Sequence, residues 1–166
     1  MNVFEFAKDM EREGEKKKRK MAEDMEDEGL ARICSMLADE EEKHLEWVKE
    51  MEQNTRPDIS EKTEFVQKVK NVFENLDINA EKRKLDDRHP QLKLYKRAMD
   101  IESSSRDYYK AKSEESDDAS VTRIFDRMAK EEESHRQIVE SMYQVLTRPL
   151  PGNWLENAEW YHLEEY

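Results

Sequence analysis

Hydrophobic residues recur every three or four positions along most of this chain, which is the spacing of an amphipathic α-helix. The pattern predicts a helix over residues 3–25, a turn over residues 26–29 and a second helix over residues 30–53. The first third of the chain is therefore expected to form a helical hairpin. Its inward positions are Phe4, Ala7, Glu11, Gly14, Lys18, Met21 and Met25, followed by Leu30, Ile33, Cys34, Leu37, Glu41, His44 and Val48.

A second hairpin is predicted over residues 90–147. Its first helix begins at His89-Pro90, because proline is favoured in the first turn of a helix, and Asp117-Asp118 marks the turn. Its inward positions are Leu94, Ala98, Ile101, Glu102, Ser105 and Tyr109, followed by Val121, Ile124, Phe125, Met128, Glu132, His135 and Val139.

The two hairpins, placed face to face, predict an all-α four-helix bundle over residues 1–147. The connection over residues 54–89 is long enough to let the second hairpin re-enter in the required direction, and it contains an amphipathic crossover helix. Residues 148–166 form a tail rich in tryptophan and tyrosine, which we expect to dock on the bundle or on a partner chain.

The composition mainly excludes possible partners and structural features. Charged residues make up 42% of the chain and hydrophobic residues 36%, a balance that also fits disorder, but the helical periodicity favours a folded bundle. The net charge of −12 argues against nucleic acid as a partner. No apolar run predicts a membrane span and no signal core is present at the start, so we expect a cytoplasmic protein. The single cysteine, Cys34, excludes a disulfide within the chain.

The second hairpin repeats the first at an offset of 91 residues (102 minus 11). Both halves carry the run Glu-Glu-Glu-x-His, and an upstream Glu precedes it by the same distance in each half. Thirty residues lead up one helix, around a turn and back to the same height on the next. The repeated pairs are Glu11 and Glu102, Glu41 and Glu132, and His44 and His135.

These six residues have the chemistry of a dinuclear metal site. In Glu-x-x-His the two side chains share one helix face. Glutamate supplies hard oxygen ligands that can bridge two ions, and histidine supplies a neutral nitrogen. Four inward carboxylates would repel one another in a core, whereas two divalent ions balance their charge. The expected cofactor is two metal ions, with iron favoured and manganese or zinc as alternatives.

The sequence resembles the rubrerythrin branch of the ferritin-like superfamily. The motifs that carry the resemblance are MEREGE, ADEEEKH, DIESSSRDYY and AKEEESH. The resemblance implies a ferritin-like four-helix bundle with a di-iron carboxylate site. It further implies that Glu41 and Glu132 bridge the metals, that Glu11 and Glu102 are terminal ligands, and that His44 and His135 bind one ion each.

The chain departs from the rubrerythrin pattern in three ways. It lacks the four-cysteine rubredoxin domain, so electrons would come from a separate, rubredoxin-like donor protein. Met99 stands where the family has a further Glu, which puts peroxidase-type ligand switching in doubt. The family's aromatic pair is kept as Tyr108 and Tyr109, but its counterpart in the first half is Lys17 and Lys18.

Several residues have two interpretations. Tyr109 is a candidate catalytic residue that bonds near the metals or donates an electron, and ordinary core packing is the alternative. Lys18 is expected to extend its stem to water, although pairing with an acid is open. Cys34 is expected to be a buried thiol, His89 to belong to a helix start, and His162 to have no ligand role. Exposed helix faces are predicted for Glu40, Glu42, Glu131 and Glu133.

Three functions fit this sequence. The first is a redox enzyme that reduces peroxide or dioxygen in oxidative-stress protection. The resemblance to rubrerythrins implies that this enzyme is a homodimer. The second is ferritin-like iron oxidation and sequestration. The third is a non-catalytic bundle that metal stabilises.

Overall fold

The computed structural model describes residues 2–59, 64–76 and 89–147. Its helices are α1 (Val3–Asp24), α2 (Glu28–Glu52), α3 (Phe65–Glu74), α4 (Pro90–Glu115) and α5 (Ala119–Thr147). All regular structure in these ranges is helical, which confirms the predicted fold class. None of these helices has an apolar stretch that could cross a membrane. The predicted docking of the tail, with His162, falls outside the described residues.

Local sequence sets the helix ends. Asn2 and Glu5 form a reciprocal capping box at the start of α1. Asp27 accepts a hydrogen bond from the Leu30 backbone N–H (3.0 Å), so α2 begins two residues before the predicted position. The side chain of His89 accepts from the backbone N–H two residues on (3.1 Å), which confirms its predicted place at the start of α4.

The bundle consists of two hairpins, α1 with α2 and α4 with α5, and α3 packs on α2. Two apolar clusters fill its two ends. The first includes Met21, Leu30, Leu37, Leu92, Tyr95, Ile138 and Val145, and the second includes Ala7, Val48, Met51, Tyr109, Ile124, Phe125 and Met128. Both α2 and α4 run from the first cluster to the second. The crossover therefore returns along the length of the bundle before α4 begins.

The inward face of α4 differs from the prediction near its start. Leu94 and Ile101 are only partly buried, whereas Gln91 and Tyr95 are buried in line with Glu102. The Gln91 amide donates to the backbone carbonyl at the end of α1 (2.6 Å). A hydrophobic pattern could not show this register, because a polar side chain occupies the first inward position and finds its partner in another helix.

Cys34 lies fully buried in the first cluster, as predicted, with its Sγ 3.9 Å from the Tyr95 hydroxyl. Burial raises the pKa of the Cys34 thiol to about 12. An unfolded chain has a thiol pKa of about 8.5, so at pH 8 the folded protein holds roughly a thousandfold less thiolate.

We therefore expect a disulfide reagent to label the native protein roughly a hundredfold or more slowly than the denatured protein at pH 8. Because Cys34 is the chain's single cysteine, total labelling reports this residue alone. The unfolded thiol ionises first as the pH rises, so stability should fall as the pH rises above about 8.5. Equal labelling of native and denatured protein would contradict the burial of this thiol.

Candidate metal centre

A polar layer separates the two apolar clusters. Each helix of the two hairpins passes from one cluster through this layer to the other and leaves acidic or imidazole side chains in it. The layer contains Glu11 from α1, Glu41 and His44 from α2, Glu102 from α4, and Glu132 and His135 from α5, each at most 3% exposed. All six residues predicted from the sequence thus lie together in the core. That they bind metal stays a prediction.

The six side chains form two overlapping groups. The groups are Glu11, Glu41, His44 and Glu132, and Glu41, Glu102, Glu132 and His135; in each, one ligand atom from every residue lies within 4.8 Å of the others. Glu41 and Glu132 belong to both groups, as expected of bridging carboxylates. His44 Nδ1 lies 2.9 Å from Glu132 Oε1, and His135 Nδ1 lies 3.4 Å from Glu41 Oε1.

Gly14 gives the Glu41 carboxylate room against α1. A Cβ atom at this position would lie 3.1 Å from Glu41 Oε2 and 3.3 Å from its carboxyl carbon. Glycine inside a helix costs about 1 kcal/mol relative to alanine, so the bundle gives up helix stability where the carboxylate needs the space. The equivalent position in α4 holds another small residue, Ser105.

The prediction that Lys18 extends its stem to water is wrong. Only 2% of the residue is exposed, and its ammonium group lies 2.6 Å from Glu41 Oε1 and in contact with Glu102 Oε1. Buried carboxylates of α2 and α4 lie against the ammonium, so its charge is neutralised inside the core. The alternative left open from the sequence, pairing with an acid, describes its position.

Tyr109 is fully buried beside the same layer. Its hydroxyl donates a hydrogen bond to Glu11 Oε1, and its ring stacks on Phe125 with 5.6 Å between the centroids. Tyr109 therefore packs in the second apolar cluster and also contacts a predicted metal ligand. Core packing and a hydrogen bond beside the predicted ligands are both present, whereas a catalytic role in proton or electron transfer stays a prediction.

Glu131 was predicted to lie on an exposed helix face, and this is wrong. It is 3% exposed, and its Oε2 lies 2.7 Å from His44 Nε2. Lys43 reaches its other oxygen at 3.1 Å. Glu40 is also buried, paired with Lys43 at 2.7 Å, whereas Glu42 is exposed as predicted.

The contact with Glu131 fixes the orientation of the His44 ring. Without metal, both ring nitrogens face carboxylate oxygens that accept hydrogen bonds: Nε2 faces Glu131, and Nδ1 faces Glu132 at 2.9 Å. If Nε2 keeps its proton for Glu131, Nδ1 is the nitrogen that can bind a metal ion in the cluster. This is the carboxylate–histidine arrangement that orients metal-binding imidazoles. The sequence position of Glu131 did not reveal this contact. Glu131 is adjacent to Glu132 and points to another side of α5, and only the packing of α2 brings His44 beside it.

Burial and neighbouring charges shift the pKa values of the glutamates in this layer in opposite directions. Burial raises the pKa of Glu11 well above its usual value, and the charges of Glu41 and Glu132 add to the rise. Burial also raises the pKa of Glu102, although Lys18 opposes it. Burial and Glu132 act against ionisation of Glu41, but Lys18 and hydrogen bonds outweigh them and lower its pKa to about 2. Because these buried carboxylates repel one another, a bound cation would stabilise the layer.

The donor set fits a pair of transition-metal ions. Glu11 Oε2, Glu132 Oε2 and His135 Nδ1 are buried and make no hydrogen bond within the described ranges. Buried polar atoms of this kind are costly unless something binds them. Carboxylate oxygens combined with imidazole nitrogen suit iron, manganese or zinc.

The fold and the site define a class: an all-α, ferritin-like bundle with a buried carboxylate–histidine cluster. The family model described as Rubrerythrin matches residues 93–160, which covers almost all of the second hairpin. Over these residues the chain is similar to the rubrerythrin family, which is consistent with the resemblance that the sequence motifs indicated. No curated protein and no solved structure gives a significant match to the chain.

Proposed function

We propose that the buried cluster binds two metal ions, natively iron, and that the protein uses them to reduce peroxide or dioxygen in protection against oxidative stress. The observation that carries this proposal is the pair of overlapping ligand groups, which share Glu41 and Glu132. The Rubrerythrin match supports it, because that family typically holds a di-iron site.

In this proposal Glu41 and Glu132 would be ligands to both ions. Glu11 and His44 complete one ligand group, and Glu102 and His135 complete the other; no side chain needs to come from outside the polar layer. Two ferrous ions bound here would supply the two electrons that convert hydrogen peroxide, with two protons, into two molecules of water.

The surrounding residues position and protect this chemistry. Glu131 holds His44 in the orientation that directs Nδ1 into the cluster. The Tyr109 hydroxyl holds a proton at Glu11 Oε1, beside the proposed ligands, and we propose it as the catalytic residue that assists proton or electron transfer. The two apolar clusters exclude bulk water above and below the layer.

We propose a separate electron donor and a homodimer. With one cysteine, this chain cannot supply the four thiolates of a rubredoxin iron site. A rubredoxin-like protein would therefore return the ions to the ferrous state after each turnover.

The test is to load the protein anaerobically with Fe(II) and to add peroxide and dioxygen in separate experiments. We expect one peroxide to oxidise two Fe(II) ions in the native protein, at least about tenfold faster than it oxidises the same amount of Fe(II) in the presence of the Glu132→Gln variant. Native mass spectrometry of the same sample should show a dimer.

Other results would favour the alternative functions. Rapid reaction with dioxygen, combined with a shell of many subunits and deposition of iron beyond two ions per chain, would support ferritin-like storage instead. Tight metal binding without any oxidation would support a metal-stabilised bundle. Failure to bind Fe(II) would overturn the proposal.

A further inference from the structure

Lys18 and Tyr109 occupy equivalent positions in the two hairpins, since they are separated by the 91-residue offset of the repeat (109 minus 18). Their contacts are also equivalent. Tyr109 on α4 donates its hydroxyl to Glu11 of α1, and Lys18 on α1 contacts Glu102 of α4. Each side chain thus binds the upstream Glu of the opposite hairpin.

The two equivalent contacts differ in charge. The Tyr109 hydroxyl is a neutral donor, and burial raises its pKa further above the usual range. The Lys18 ammonium brings a full positive charge to Glu102 and also reaches Glu41 at 2.6 Å. Lys18 therefore contacts Glu102, which belongs to one ligand group only, and the shared Glu41, whereas Glu11, which belongs only to the other group, has a neutral hydroxyl in the equivalent place.

We infer that Lys18 makes the two metal subsites unequal: the first ion binds at Glu11, Glu41, His44 and Glu132, and the second must displace the Lys18 ammonium from Glu102 and Glu41. This inference rests on the proposed function, because it concerns the order in which the same site fills.

Electrostatics gives the direction of the effect. When all four carboxylates are deprotonated to serve as metal ligands, they carry four negative charges, and Lys18 and one divalent ion offset three of them. A second divalent ion then gives the layer an excess of positive charge while the ammonium stays in place. In a buried site an uncompensated unit charge is costly, so the second ion is expected to bind about 10- to 100-fold more weakly than the first.

The test is titration with Mn(II), which needs no oxidant and whose spin coupling distinguishes single ions from pairs. Isothermal titration of the native protein should show one tight and one weak site, and electron paramagnetic resonance should show coupled pairs only at excess metal. In the Lys18→Met variant we expect two sites with affinities within about threefold and coupled pairs from the start.

Lys17→Met is the matched control. Lys17 is the neighbouring residue, and it pairs with Glu13 at 3.1 Å on the outer face of α1. This variant loses the same unit charge but should keep the unequal sites of the native protein. A second pair of variants does not depend on the folding of Lys18→Met. Glu11→Gln should remove the tight site, whereas Glu102→Gln should leave it within about threefold of native affinity.

Two equal sites in the native protein, unchanged in Lys18→Met, would overturn the inference and leave the proposed function standing. Equal losses in Glu11→Gln and Glu102→Gln would overturn it as well. If neither the native protein nor any variant bound Mn(II) or Fe(II), the proposed function itself would fail.

Discussion

Replacement of Glu132 by glutamine is expected to abolish binding of both metal ions. Glu132 is completely buried and belongs to both ligand groups, so its loss removes a charged oxygen ligand from each ion at once. Loss of an outer hydrogen-bond partner alone costs about 10- to 100-fold in metal affinity, so loss of a shared ligand should cost more than about 100-fold. Equilibrium dialysis against Mn(II) or Fe(II), with metal analysis of the protein, measures the effect.

Glu133→Gln is the control for this experiment. Glu133 is the next residue in α5, but its carboxylate pairs with Arg106 and Arg136 outside the polar layer. Its replacement removes the same charge and should leave metal affinity within about threefold, because partly exposed ion pairs are worth little. Equal loss of metal in the two variants would mean that overall charge, and not the ligand group, holds the ions.

The bundle and the six core residues could be predicted because two independent regularities agree in the sequence. Helical periodicity places Glu11 and Glu41 on inward faces, and the repeat places Glu102 and Glu132 at the same height. A buried carboxylate is costly without a partner, so four of them at one level require a common explanation. The structure brings these side chains together as expected.

The surroundings of the cluster could not be predicted in the same way, because they depend on contacts between hairpins. Lys18 was assigned to water from the ordinary behaviour of lysine, whereas Glu102, which lies 84 residues away (102 minus 18), determines its position. Glu131 likewise reads as one of several surface acids until α2 places His44 beside it. In both cases a charged residue is buried because another helix supplies its counter-charge.

Saturation with a divalent metal is expected to raise the thermal stability of the protein without being needed for folding. The two apolar clusters are built from residues outside the ligand set, and Lys18 offsets part of the carboxylate repulsion. A ligand at about 100 times its dissociation constant adds about 2.7 kcal/mol to the free energy of unfolding. For a chain of this size that corresponds to an increase of roughly 5–10 °C in Tm.

Circular dichroism at 222 nm, recorded during heating with and without Mn(II), measures this shift, and a chelator should reverse it. The metal-free protein should keep its helical signal at 25 °C and unfold cooperatively. Glu132→Gln should show almost no shift with metal, whereas Glu133→Gln should shift as the native chain does. A metal-free chain without a cooperative transition would instead assign the metal a structural role, because the apolar clusters would then be too weak to hold the hairpins together against the repulsion of the four carboxylates.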